Sequence, residues 1–129
     1  MLRFISFLIV AYSGFMGSLY FVAWQTRLEG MRGGPQDAFR HTFSSAIVAH
    51  YAGPIVVDWA TMIFERDDTS AMDLMDRHNN AIGKRIGIES KGFREIYNQV
   101  SFAVQGGEVN TNTPDRVTWL ERQYWSVGL

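Results

Sequence analysis

The sequence predicts an all-α protein, with one N-terminal transmembrane helix followed by a compact domain of about five shorter helices. Three observations carry this reading. Phe4 to Trp24 is a run of 21 residues with no charged side chain, bracketed by Arg3 and Arg27. Beyond it, glycine and proline cut the chain into segments of helical length, with apolar residues three and four apart. No segment keeps the apolar–polar alternation of a half-buried strand.

A helix rises about 1.5 Å per residue, so the uncharged run covers roughly 30 Å, one hydrocarbon core. It is long for the apolar core of a signal peptide. The bulky Phe21-Val22-Ala23-Trp24 stretch also offers no small-residue cleavage site. Residues 1–29 are read as a membrane anchor and 30–129 as a helical domain. Ser13 with Gly17, and Gly14 with Ser18, are four apart and share a helix face. Such small-residue spacing lets two helices approach closely in lipid, so this face is expected to pack against another membrane protein. The plainer reading is a weakly hydrophobic anchor. Arg3 and the terminal amine stand on one side, Arg27, Arg32 and Glu29 on the other. That nearly balanced pattern leans toward an N-terminus inside and a domain outside the cytoplasm.

Gly33-Gly34-Pro35 opens the next helix with proline in its first turn, and Gly53-Pro54 closes it. Phe39, Phe43, Ala46, Ile47 and Tyr51 repeat along it at helical spacing. A second helix is expected from about Ile55 to Arg66, before the polar turn Asp67-Asp68-Thr69-Ser70. Ser70 and Asp73 form a capping pair for a third, from about Ala71 to Ile86, stopped by Gly87. Ser90 is expected to cap a fourth, from about Lys91 to Gln105, ended by Gly106-Gly107. After the polar loop Glu108 to Thr113, Thr113-Pro114-Asp115 is expected to open a last helix carrying Trp119, Tyr124 and Trp125.

Composition removes several functions. A net charge of −1 gives no basic surface for nucleic acid. The chain has no cysteine, which excludes disulfides, thiolate catalysis and cysteine–zinc sites and is compatible with the periplasm. Neither a Gly-x-Gly-x-x-Gly nor a Walker loop occurs, so no nucleotide and no other cofactor is expected. Gly30 to Gly34 reads instead as a joint between anchor and domain.

Candidate chemistry lies on the first and third soluble helices. Asp37, His41 and Ser44 or Ser45 share one face. A carboxylate one turn before His41 can fix its tautomer and raise its basicity, as in general-base sites. In the first turn, Asp37 is also favoured by the helix dipole alone. Arg40 is suited to a phosphate or carboxylate. Asp76, Asn79, Asn80 and Gly83 share a face of the third helix. Two adjacent asparagines mid-helix compete with the backbone, which invites a functional explanation. Gly83 leaves room for another backbone or a ligand. His41, Glu65 and Asp76 can supply N and O ligands, yet no zinc spacing is present and no metal is expected. The ordinary readings are a surface Asp–His pair, His50 as a dipole partner at a helix end, and His78 as a solvated side chain.

Pro35-Gln36-Asp37-Ala38-Phe39-Arg40-His41, followed by Met72 through Gly87 with Met75-Asp76-x-x-Asn79-Asn80-x-x-Gly83-x-x-x-Gly87, resembles a bacterial domain family of unknown function. That family carries a D-A-F-R-H helix and a later M-D-x-x-N-N-x-x-G helix, and is found in secreted and polymorphic-toxin-like proteins. The resemblance runs from Gly33 to Val109 and includes Gly106-Gly107-Glu108-Val109, similar to a G-E-L-like ending. It implies that Asp37, Arg40, His41, Asp76, Asn79 and Asn80 converge, and that the anchor lies in a bacterial inner membrane with the domain in the periplasm. The family tends to carry a His-Glu pair at the end of the second helix; here that place reads Phe64-Glu65. Two functions follow. One is an envelope hydrolase acting on phospholipid or peptidoglycan, with His41 as general base positioned by Asp37, Arg40 and the Asn79 and Asn80 amides binding the substrate's polar group and stabilising an oxyanion, and Asp76 and Glu65 as further candidate catalytic residues. The other is a non-catalytic accessory subunit of a larger membrane complex. Either way, carbonate extraction should leave the full-length chain in the membrane pellet, and its release into the soluble fraction would contradict the anchor.

Overall fold

The structure, a computed structural model, describes residues 1–67, 69–107, 109 and 116–125. Among these residues the chain forms five α-helices and no strand. They are α1 (Leu2–Gln25), α2 (Pro35–Tyr51), α3 (Pro54–Phe64), α4 (Ala71–Glu89) and α5 (Phe93–Gln105), followed by a short 3₁₀ turn at Arg122–Tyr124.

Local chemistry sets most of these boundaries. Gly33 turns the chain with φ +78°, and Pro35 then starts α2 without needing a hydrogen-bond partner for its nitrogen. Gly53 turns it again with φ +104°, and Pro54 starts α3. The expected cap of α4 is formed: Asp73 N–H donates to Ser70 Oγ at 3.3 Å, and Asp67 N–H to Asp73 Oδ2 at 2.8 Å. The cap expected at Ser90 is not. Ser90 N–H instead closes α4 on Ile86 O, Gly92 precedes α5, and Lys91 N–H is taken by Glu95 Oε2 at 2.9 Å.

Helix α2 is the hub and packs against α1, α3, α4 and α5. Phe39 and Phe43 stack with centroids 5.5 Å apart. Tyr97 and Phe93 of α5 meet their edges at 5.8 and 5.7 Å. Ile96, Val100 and Val104 complete that side of the core. On the adjoining face α4 lies almost backbone to backbone with α2. A Cβ at Gly83 would stand 2.1 Å from Thr42 O, and one at Gly87 2.3 Å from Ala46 O. This contact explains why Gly87 does not end α4 where the sequence suggests. The glycine serves packing, and the helix continues to Glu89.

Helix α1 is long and apolar enough to cross a membrane, over Phe4–Gln25. Its C-terminal half is also a wall of the domain. Leu19 and Ala23 are buried in the same core as Phe39 and Phe43. The N-terminal half projects, with Phe4, Phe7 and Val10 all well exposed.

The last expected helix is corrected. Residues 116–125 form an irregular strap with one 3₁₀ turn, and the expected opening at Thr113-Pro114-Asp115 lies outside the described residues. The strap is held by nonlocal contacts. Val117 and Leu120 bury against Met75, Leu120 N–H donates to Gly33 O at 2.7 Å, and Trp125 Nε1–H donates to Leu120 O at 2.6 Å.

Gly83→Ala tests the α2–α4 contact by its sign. On an open helix surface, glycine to alanine stabilises by about 0.8–1 kcal/mol. Here the new methyl meets a backbone carbonyl, so overpacking should dominate and cost about 1–3 kcal/mol. Denaturant unfolding in detergent micelles measures it.

Candidate functional site

The α2–α4 contact and the end of α3 bring three acidic groups around one imidazole. Asp37, Arg40 and His41 come from α2, Asp76 and Asn80 from α4, and Glu65 from the residue closing α3. His41 Nε2 lies 3.4 Å from Asp76 Oδ2 and 3.6 Å from Asp37 Oδ1. His41 Nδ1 stands 4.0 Å from Glu65 Oε1. Asp37 is fixed twice: Oδ2 accepts from Gly33 N–H at 2.8 Å, and Oδ1 is paired with the Arg40 guanidinium. Arg40 Nη2 is also 3.2 Å from His41 Nε2. Nε2 therefore faces a closed ring of side chains, while Nδ1 faces the cavity side beside Glu65, beyond direct hydrogen-bond reach of its carboxylate.

Burial sets the protonation of this cluster. The His41 imidazolium is disfavoured first by desolvation and then by Arg40, against the pull of Asp37 and an Asn80 hydrogen bond, and its pKa falls to about 4. Desolvation, reinforced by the Asp37 and Glu65 charges, pushes the Asp76 carboxyl up to about 9. Glu65 is raised as well, by burial and then by Asp73 and Asp37. At neutral pH His41 is thus uncharged, with a lone pair to accept a proton, and Asp76 holds one. Two buried polar atoms of the cluster have no hydrogen-bond partner in the structure, Asp76 Oδ1 and Arg40 Nε. Native interiors leave few such groups, and those left commonly meet water, ligand or reacting atoms.

Asn80 belongs to the same site. Its Oδ1 accepts from Ser45 Oγ at 2.9 Å and its Nδ2 donates to Thr61 Oγ1 at 3.1 Å. Asn79 does not. It is fully buried, and its Nδ2 donates to Thr118 O at 2.8 Å, so it pins the C-terminal strap and is sealed from any substrate. The expected oxyanion role is therefore corrected for Asn79. Local spacing could not separate the two asparagines, because the strap that claims one of them arrives 39 residues later. Nor does any spacing in the sequence point to Tyr20 on α1. Its hydroxyl accepts from Arg40 Nη1 at 2.9 Å, and its ring lies 4.8 Å from the guanidinium carbon. His50, at the end of α2, is part-buried and donates Nδ1–H across to Gly87 O of α4 at 3.0 Å, not to the end of its own helix.

The cluster opens on a cavity of about 460 Å³ between α1, α2 and α3. His41, Arg40, Glu65 and Asn80 form its polar wall. Tyr12, Phe15, Met16 and Leu19 of α1 and Val56, Ala60 and Phe64 of α3 form its apolar walls. Glu65 and Asn80 also border a second cleft, of about 630 Å³, on the other side of α3 with Arg66, Arg77 and Lys84. Asp37, His41 and Asp76 each place one ligand atom within 4.8 Å of the others, so this trio, and not the set with Glu65, is the group spaced for a divalent cation. The Arg40 guanidinium already lies against two of its members and supplies a positive charge there. The chain matches no family model, no curated protein and no solved structure.

A stability–pH profile tests these protonation states. Asp76 keeps its proton in the folded protein up to about 9, against 3.8 ordinarily, so folding gains from that proton below this range and loses it as pH rises. His41 refuses a proton down to about 4, against 6.5, which acts in the opposite direction between those values. Above 6.5 the Asp76 effect is no longer offset by His41, and the raised Glu65 acts in the same direction. Stability should therefore decline from about pH 6.5 to about 9, and Asp76→Asn should flatten that slope. Denaturation midpoints measured across this range give the answer.

Proposed function

We propose that this chain is a membrane-tethered hydrolase of the bacterial cell envelope, its domain on the periplasmic side and His41 its general base. The observation that carries the reading is a neutral, carboxylate-ringed His41 opening on a cavity, with Asp76 Oδ1 and Arg40 Nε left unpaired beside it. Water entering from the cavity and meeting His41 Nδ1 is the nucleophile, with Glu65 beside it. Its proton passes to His41 as its oxygen attacks the scissile carbonyl, and the imidazolium formed is stabilised by Asp37, 3.6 Å away. Arg40 and the Asn80 amide face the oxygen on which charge develops. His41 then returns the proton to the leaving oxygen, giving an acid and an alcohol. In this reading the chain is a membrane-anchored relative of the toxin-like family whose two motifs it carries.

The accessory-subunit reading keeps one observation. Gly14 and Gly17 point away from the domain, and a Cβ added at either would meet nothing within 4 Å, so the small-residue face is bare and available to a second membrane helix.

Directing the chain to the periplasm separates the two. A hydrolase should damage the envelope, and His41→Ala, folded and equally abundant, should abolish the damage, since losing a general base typically removes about 10²–10⁴ in rate. A harmless wild type that detaches from a membrane partner on Gly14→Leu or Gly17→Leu supports the subunit. A toxic wild type with a silent His41→Ala removes His41 from the chemistry.

A further inference from the structure

Helix α3 is apolar around most of its circumference yet mostly uncovered. Ile55, Trp59, Met62, Ile63 and Phe64 are all more than half exposed, and only Val57 is buried. A helix with this pattern is stable only when something apolar covers it. The projecting half of α1 has the same character, from Phe4 to Val10. The cavity beside His41 lies between these two helices, with α2 as its floor at Ser44 and Val48. On α1 its wall runs from Tyr12 to Leu19, about 10 Å along the helix axis. Leu19 and Ala23 are buried in the domain core while Phe4, Phe7 and Val10 are bare, so the part of α1 left for lipid ends near Tyr12, at the mouth of the cavity. The cavity, with α3, then lies at the bilayer surface, where lipid ester bonds sit and acyl chains begin.

We propose that α3 rests its bare apolar side chains in the leaflet surface beside α1, and that the cavity between them takes the acyl chain of a membrane lipid drawn from the bilayer. Continuity with the membrane-length helix selects lipid as the occupant: one wall of the cavity is α1 itself. The volume is in the range of ordinary ligand sites. An acyl chain lying along Met16, Val48 and Val56 brings its ester to the polar wall at His41, Glu65 and Asn80. Peptidoglycan, whose sugars and peptides are polar, has no counterpart for these walls. The assignment of the ester as the reacting bond rests on the hydrolase reading; the acyl-chain site itself does not.

The test uses the full-length protein in phosphatidylcholine vesicles containing a small fraction of an ether-linked phosphatidylcholine with a diazirine in one chain. The ether bond cannot be hydrolysed as an ester, so binding is read apart from catalysis. Irradiation and peptide mass spectrometry should place label on the α2 floor at Ser44–Val48, which bulk lipid outside the cavity does not reach. Ala60→Trp and Val56→Trp, each filling the cavity from α3, should lower floor labelling at least tenfold and leave labelling of Phe4–Val10 unchanged. Circular dichroism and a retained unfolding transition verify that each variant is folded. A floor that stays unlabelled overturns the proposal, as does a floor cross-linked to a second copy of this chain or to another protein's helix. Floor labelling together with no hydrolysis of ester lipids keeps the acyl-chain site and removes the hydrolase reading.

Discussion

Gly83 and Gly87 lie one turn apart on α4, and each leaves room for a carbonyl of α2, at Thr42 and at Ala46. No other residue type lets two helix backbones come this close. The contact fixes the rotation and height of α4 against α2, and so decides which side chains meet one turn further along. Asp76 and Asn80 are carried to His41 and Ser45, and Asn79 is carried to the strap. The buried polar cluster depends on this registry. A shift of α4 by the width of a methyl would separate groups now 3.4 and 3.6 Å apart and leave buried carboxylates without partners.

Electrostatics explains why the cluster is poised and not merely packed. Asp37, Asp76 and Glu65 crowd around His41, with Arg40 paired to Asp37 and Arg77 acting on Glu65, so three carboxyl groups share a limited positive charge. The pocket relieves that excess by protonating Asp76, which leaves His41 neutral. Two groups with pKa values driven apart, beside a cavity, are the usual signature of an acid–base pair.

Much of the fold was legible in the sequence because its punctuation is local. Pro35, Gly53-Pro54, Ser70 with Asp73 and Gly106 set helix ends through φ angles and caps that depend on a few neighbouring residues. The convergence of Asp37, His41, Asp76 and Asn80 was legible for a similar reason: each helix showed one polar face at helical spacing, and two such faces must meet. What escaped was nonlocal. Val117 and Leu120 look helical in isolation but are drawn into an extended strap over Met75. Gly87 looks like a helix stop but is a contact. Tyr20 and the α1 wall of the cavity could not be read from a segment whose apolar pattern records lipid and core in the same letters.

The membrane-length helix and the site are thus parts of one structure, with α1 also a wall of the cavity. The most direct measurement is the identity of the product. Purified full-length protein in phospholipid vesicles, followed by lipid mass spectrometry, should release free fatty acid and the matching lysophospholipid, and His41→Ala should release neither. Intact phospholipid after prolonged incubation with folded, membrane-inserted wild type would contradict lipid hydrolysis at this site.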